Sequence, residues 1–269
     1  QNVQVTLHYF YKAVEKMEKN KDITEIPMHD LLLSETADEK AMINLKKFTD
    51  ARIGIGRTGT RYKTLPYLRF RADHAAANDA VMLEVSEDVI KSLGLFEIRT
   101  KCENKYDMLT RPDRGRIIPE KYKKILLEKC KKNIDVQIYC GDGLSAPSIK
   151  ANVKDLIKII ELSLEGTEIS IGTPFFVRYC RVNTAREIAP LLNAKVTCVL
   201  IGERPGLSNG ESMSAYIAYN ARADMSESDY TVVSNISKKG MHPTEAGAYI
   251  AELIQKMLEQ KTSGLNLKI

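Results

Sequence analysis

The stretch that most constrains this chain is Lys195-Val-Thr-Cys-Val-Leu-Ile-Gly-Glu-Arg-Pro-Gly206. From Val196 to Ile201 every residue is apolar or β-branched. A run that short, apolar on both faces, fits a strand buried inside a parallel sheet. It ends in Gly202-Glu203-Arg204-Pro205-Gly206, which cannot continue a central strand. A buried strand therefore delivers a carboxylate and a guanidinium to its C-terminal end. In open α/β sheets that edge is where ligands bind.

The rest of the chain supplies the partners such a strand needs. From Pro119 onward the pattern is β-α-β. Glu120–Asn133 reads as a basic helix and Val136–Cys140 as a buried strand. Gly141-Asp-Gly-Leu-Ser145 reads as a strand-to-helix turn, with Ser145 the N-cap of a helix reaching residue 165. Ile169–Tyr179 is strand-like, broken by Gly172-Thr-Pro174, and Ala185–Leu192 is a short helix. Ser212–Ala218 is either helix or strand; the pattern leaves both open. Tyr230–Ile236 is a last strand and Pro243–Gln260 a last helix, with Ala246, Ile250, Leu253, Ile254 and Met257 inward. Strands alternating with helices imply a parallel, Rossmann-like sheet with helices on both faces. The expected organisation is an N-terminal helix and charged linker (1–40), a mainly helical domain (41–118) and a Rossmann-like α/β domain (119–269).

Two N-terminal features carry alternative readings. Val3, Leu7, Phe10, Tyr11, Val14 and Met17 recur at helical spacing, so 3–19 reads as an amphipathic helix. It could serve as an ordinary surface helix, an oligomerisation element, a targeting peptide, or an arm that recruits the chain to a larger assembly. Gly54-Ile-Gly56-Arg-Thr-Gly59 matches G-x-G-x-x-G, the spacing of a dinucleotide loop. That fingerprint needs a strand before it and a second strand ending in an acidic residue. Here the flanking patterns are helical, so a nicotinamide-dependent oxidoreductase is the weaker reading. Arg52, Arg57 and Arg61 would instead line a glycine-rich loop against a partner or an anion.

Several classes of function lack their residues. The five cysteines show no metal-ligand spacing and read as free thiols in a reducing cytoplasm. No metal centre is expected. Gln1–Asn20 has no pattern of a secretory signal, and no apolar run is long enough for a spanning helix. A net charge of +5, with both signs interleaved, gives no nucleic-acid footprint. Four strand ends converge on one sheet edge: Asp142/Ser145, Arg181/Val182, Glu203/Arg204 and Val232/Ser234/Asn235. The four histidines lie elsewhere, and Gly-Asp-Gly-Leu-Ser is not a nucleophile elbow. Such an edge suits holding a large polar ligand better than making or breaking bonds.

The same stretches carry a resemblance. Ala51–Gly59, Leu68-Arg-Phe-Arg-Ala-Asp-His74, Leu109-Thr-Arg-Pro-Asp-Arg-Gly-Arg116, Asp142–Ser145, Gly172–Tyr179, Gly202–Leu207, Ser234–Ile236 and Ser263-Gly264 occur in this order. In that order the chain resembles the small (light) subunit family of ethanolamine ammonia-lyase. The resemblance implies an adenosylcobalamin-dependent enzyme converting ethanolamine to acetaldehyde and ammonia. Cobalamin would lie between this subunit and a larger TIM-barrel subunit, which would hold the substrate. This chain would then be inactive alone and contribute no catalytic residue; an exposed half-cleft and an N-terminal arm without a match would let it self-associate when isolated. Family cobalamin contacts fall on Arg181, Val182, Glu203 and Val232. At Val232 related chains can carry cysteine, so a backbone contact survives here and a sulfur contact does not. The resemblance leaves open whether Arg57, Arg116, Asp142 and Ser145 face cobalamin or the partner. It also implies a cytoplasmic location inside a protein-shelled bacterial microcompartment.

Overall fold

A short connection decides the central architecture. The link 203–212 is shorter than the dozen or so residues that a crossover between parallel strands requires. The chain therefore turns back after its buried strand. In the computed structural model, which describes Ile23, 36–49 and 51–269, that strand is β6 (Ala194–Gly202) and the returning one is β7 (Met213–Tyr219). The two pair antiparallel along their lengths, from Val196 with Tyr219 to Gly202 with Met213. The stretch left open between helix and strand is thus a strand.

The chain divides into two compact units, Gln1–Ala76 and Ala77–Ile269. In the first, α1 (Glu39–Lys46) starts at Asp38, whose side chain accepts the Ala41 N–H at 2.9 Å. The glycine-rich loop follows. Gly54, Gly56 and Gly59 all adopt positive φ, at 62°, 75° and 61°. They lead into a small antiparallel hairpin of β1 (Arg57–Thr58) and β2 (Arg61–Tyr62). No strand runs into the loop from the described residues before it, and the hairpin occupies the place where a dinucleotide fold opens its helix. The nicotinamide reading loses its structural context. The expected helix over 3–19 lies outside the described residues. Helix α2 (Thr64–Met82) comes next, and the division between the units falls within it.

In the second unit α3 (Glu87–Ser92) precedes β3 (Phe96–Arg99), and α4 (Lys105–Thr110) precedes α5 (Glu120–Lys129). Strand β4 (Ile134–Gly141), helix α6 (Ala146–Leu164), strand β5 (Phe175–Arg178) and helix α7 (Ala185–Leu192) lead to β6 and β7. Strand β8 (Thr231–Ile236) and helix α8 (Pro243–Gln260) complete it. The sheet order is β3-β5-β4-β6-β7-β8. Pairing is parallel from β3 to β6 and antiparallel at β6–β7 and β7–β8. The expectation of a parallel sheet throughout is corrected: the sheet is mixed. Because β8 reverses β7, it runs in the direction of β6, and both end at the same edge.

Alternation along the strands sorts the core into two apolar layers. Val136, Ile138, Cys140, Val196, Cys198 and Leu200 join the inward sides of α6 and α8. Tyr139, Val199 and Ile201 join Leu126 of α5 and Ile188, Ala189 and Leu192 of α7. Ala246, Ile250, Leu253, Ile254 and Met257 are all buried, as their 3-4 spacing predicts. All five cysteines are free and buried. None of the helices among the described residues is long and apolar enough to cross a membrane.

Candidate functional site

The edge where β4, β5, β6 and β8 end is built differently at each strand. After β5 the backbone bends sharply: Tyr179 takes a left-handed φ of 57°. Cys180 N–H then donates to Asp142 Oδ1 at 3.0 Å. Arg181 N–H donates to the Gly115 carbonyl at 3.1 Å, and its Nη2 to the Met108 carbonyl at 2.7 Å. Gly115 is needed at this crossing, since a Cβ there would stand 2.7 Å from Arg181 Cγ. A tight turn, Val182–Thr184, follows Arg181 and runs into α7.

Arg181 is held but not saturated. Its Nε is buried and meets no hydrogen-bond partner. Burial pushes the guanidinium below the usual arginine value, and the charges of Arg116 and Arg204 push the same way. Three guanidiniums from three loops thus share one region. An anionic or carbonyl-rich ligand would relieve both the repulsion and the unpaired donor.

At the end of β6, Glu203 N–H donates to the Ser212 carbonyl at 3.0 Å, which fixes its backbone. Its Oε1 accepts the Tyr216 hydroxyl at 3.1 Å. Tyr216 is pushed up to about 12 by burial and by the neighbouring Glu203 charge, so it donates across the physiological range. Its ring meets Tyr230 edge-on, with centroids 6.2 Å apart. Tyr230, also raised to about 12 chiefly by burial, donates to Asn183 Oδ1 at 3.3 Å. Asn183 follows Val182 in the turn after β5. Val182 and Tyr216 both pack on the apolar layer of α5 and α7.

Val232 stands directly opposite Tyr216 in the β7–β8 register and is 45% exposed. Directly opposed residues on paired strands have Cβ atoms roughly 5 Å apart on one face. Val232 is only the second residue of β8 and lies level with Val199, across Tyr216, so the expectation that it stands with Glu203 at the strand ends is corrected. Tyr216 pairs with Val232 and donates to Glu203, and through Tyr230 it is connected to the turn at Val182. Two residues before Tyr216, on the same face of β7, Ser214 keeps a buried hydroxyl without a partner.

Two candidates from the sequence stand apart. Asp142 is fully buried, and its other oxygen meets Lys105 Nζ at 3.3 Å, itself only 4% exposed. Ser145, also fully buried, accepts the Ser148 N–H at 3.2 Å and donates to the Gly210 carbonyl at 2.6 Å. Both groups are spent on holding the fold, so neither is free for a ligand. Arg57 belongs to the first unit, where its guanidinium lies 4.8 Å from the Tyr62 ring centroid.

Tyr216, Tyr230, Asn183 and Lys105 were not legible as site or support residues. Tyr216 lies in the stretch whose period left helix and strand open, so its face was undefined. The thiols offer no nucleophile: burial pushes Cys180 and Cys198 up to about 12 and Cys130 to about 11. Among the described residues no group of three or more His, Cys, Asp or Glu could hold a metal ion. The arrangement offers one carboxylate acceptor, a basic cluster, phenols held protonated and an exposed apolar strand face. It can grip a ligand bearing amides and an anionic group.

Comparison with known proteins is consistent in its direction. A family model described as "Ethanolamine ammonia-lyase light chain (EutC)" matches residues 39–268. A Clostridium tetani protein named ethanolamine ammonia-lyase small subunit is 51% identical over 249 residues, covering 92% of this chain and 84% of that one. A Clostridium perfringens protein of the same name is 46% identical over 276 residues, covering 98% and 94%. One from Listeria monocytogenes is 46% identical over 248 residues, covering 92% and 85%.

Proposed function

Because this chain belongs to the ethanolamine ammonia-lyase light-chain family, we propose that it is the small subunit of an adenosylcobalamin-dependent enzyme that converts ethanolamine to acetaldehyde and ammonia. Its sheet edge is then one wall of the cobalamin cleft, and a large TIM-barrel subunit supplies the other wall and the substrate site. The observation that carries this reading is the set that Tyr216 links, at the ends of β5 and β6 and on the exposed face of β8. Glu203 is bonded to Tyr216, which pairs with Val232 on β8 and meets Tyr230, whose hydroxyl holds Asn183 beside Val182.

The residues fit the group. Cobalamin carries a rim of amide side chains and a nucleotide loop with one phosphate. Glu203 accepts from amide N–H groups. Arg181, with an unpartnered buried Nε, donates to an amide carbonyl or to phosphate. Val182 and Val232 offer apolar surface to the ring system. When bound, the cofactor supplies a cobalt–carbon bond whose homolysis begins radical chemistry. This chain's residues bind and orient; with no activated acid, base or nucleophile at the edge, the subunit is inactive alone. The amphipathic spacing of 3–19 supports a recruitment arm for a microcompartment, so deleting residues 1–20 leaves activity intact and lowers encapsulation of the enzyme.

The test is reconstitution with the large subunit and adenosylcobalamin, reading acetaldehyde. Full activity from the large subunit without this chain overturns the proposal. In the reconstituted enzyme Glu203→Ala weakens cofactor binding about tenfold or more, the scale of one hydrogen bond to a charged group, and leaves thermal unfolding nearly unchanged.

A further inference from the structure

Tyr216 connects three separately built parts of this face. Its hydroxyl donates to Glu203 Oε1 at 3.1 Å, at the end of β6. Its backbone position pairs with Val232 on β8. Its ring meets Tyr230, whose hydroxyl holds Asn183 in the turn after β5. The phenol is half-buried and packs on the apolar layer under α5 and α7, so its ring is fixed by more than the hydrogen bond. Glu203, in contrast, stands in a loop of Gly202, Pro205 and Gly206, and among the described residues only Tyr216 hydrogen-bonds its carboxylate. A free glutamate there would sample several rotamers, and ordering it on binding would cost roughly 1 kcal/mol or more.

We infer that Tyr216 is a positioning residue of the cofactor wall: it ties down one carboxylate oxygen of Glu203 and leaves the other to accept a cobalamin amide. The inference rests on the cofactor-cleft reading above. Binding energy at Glu203 then depends on a residue that need not touch the ligand. Because a phenol raised to about 12 remains a donor, the tie holds throughout the neutral range. Phenylalanine at this position keeps the ring packing against Tyr230 and the strand register, and removes only the tie.

The test is a double-mutant cycle in the reconstituted two-subunit enzyme. Cofactor affinity is read by titration with adenosylcobalamin, and turnover is read separately at saturating cofactor. Tyr216→Phe is expected to weaken cofactor binding roughly fivefold to tenfold, with kcat at saturation within twofold. In a Glu203→Ala background the same substitution is expected to change affinity less than twofold, because the tie has nothing left to hold. A loss of equal size in both backgrounds means that Tyr216 acts through strand packing, and overturns the inference. So does unchanged affinity in Tyr216→Phe while Glu203→Ala weakens binding. Unchanged affinity in Glu203→Ala overturns the cofactor-cleft reading itself, and this inference with it. Thermal unfolding of Tyr216→Phe within a few degrees of the parent accompanies the expected result.

Discussion

Two neighbouring strands of this sheet end in nearly the same letters and meet opposite fates. Strand β4 ends in Gly141 followed by Asp142, and β6 ends in Gly202 followed by Glu203. The strands run parallel and in register, with Gly141 beside Ile201. Yet Asp142 is fully buried, held by the Cys180 N–H and by Lys105, whereas Glu203 is half-buried and held by one phenol. The difference lies in what covers each end. Helix α4 brings Lys105 over β4, and the turn after β5 closes the other side. Beyond β6 the turn after β4 packs on Gly202, but among the described residues only Tyr216 hydrogen-bonds the Glu203 carboxylate. A carboxylate that meets both a cation and a backbone N–H becomes part of the fold. One that meets a single neutral donor keeps an oxygen for something else.

That contrast can be broken experimentally, most forcefully at the closed corner. Asp142→Ala leaves Lys105 buried without its counter-charge, and removing one partner of a buried pair costs about 3–5 kcal/mol. Denaturant unfolding of the assembled enzyme is expected to show a loss of this size; a loss under 1 kcal/mol would mean that water already reaches the pair. Gly115→Ala is the next largest. Its new methyl would collide with Arg181 Cγ, and overpacking costs about 1–3 kcal/mol. Because the arginine must move, cofactor affinity should fall with stability, unlike at Asp142.

A third effect appears with alkali. Tyr216 and Tyr230 titrate at about 12 in the fold, against roughly 10 in an unfolded chain. Between those values the folded state holds more protons, so its stability is complete below about pH 10 and falls as pH rises toward 12. The fall should be shallower in Tyr216→Phe when unfolding is followed across that window. Smallest is Val232→Ala. Its side chain is 45% exposed, so unfolding should change by about 0.5 kcal/mol or less. Any larger effect on cofactor affinity than on stability would locate the ligand on this face of β8.

Much of this architecture was legible because it depends on local pattern. The period of 3.6 in Ala246–Met257 placed the buried face of α8, and Ser145 followed by Pro147 fixed the start of α6. The apolar run before Gly202 identified a strand buried on both faces, whatever surrounded it. Periodicity could not give direction. Whether β7 ran with or against β6 depended on the length of its link, and the pattern of Ser212–Ala218 suited helix and strand alike.

The sequence by itself therefore determined most of the strands and helices, which strand is buried on both faces, and that Arg181, Val182 and Glu203 follow strand ends. Those properties follow from side-chain period, turn chemistry and the exclusion of glycine and proline from strand interiors. Only the tertiary structure decided which strand-end groups remain available. Lys105 and Met108 of α4 and Gly115 of the turn after it reach the edge from far along the chain, and they bury Asp142 and brace Arg181. Tyr216 reaches Glu203 because two strands turned antiparallel. Availability is a matter of desolvation and partnering, and both are set by contacts between residues distant in sequence.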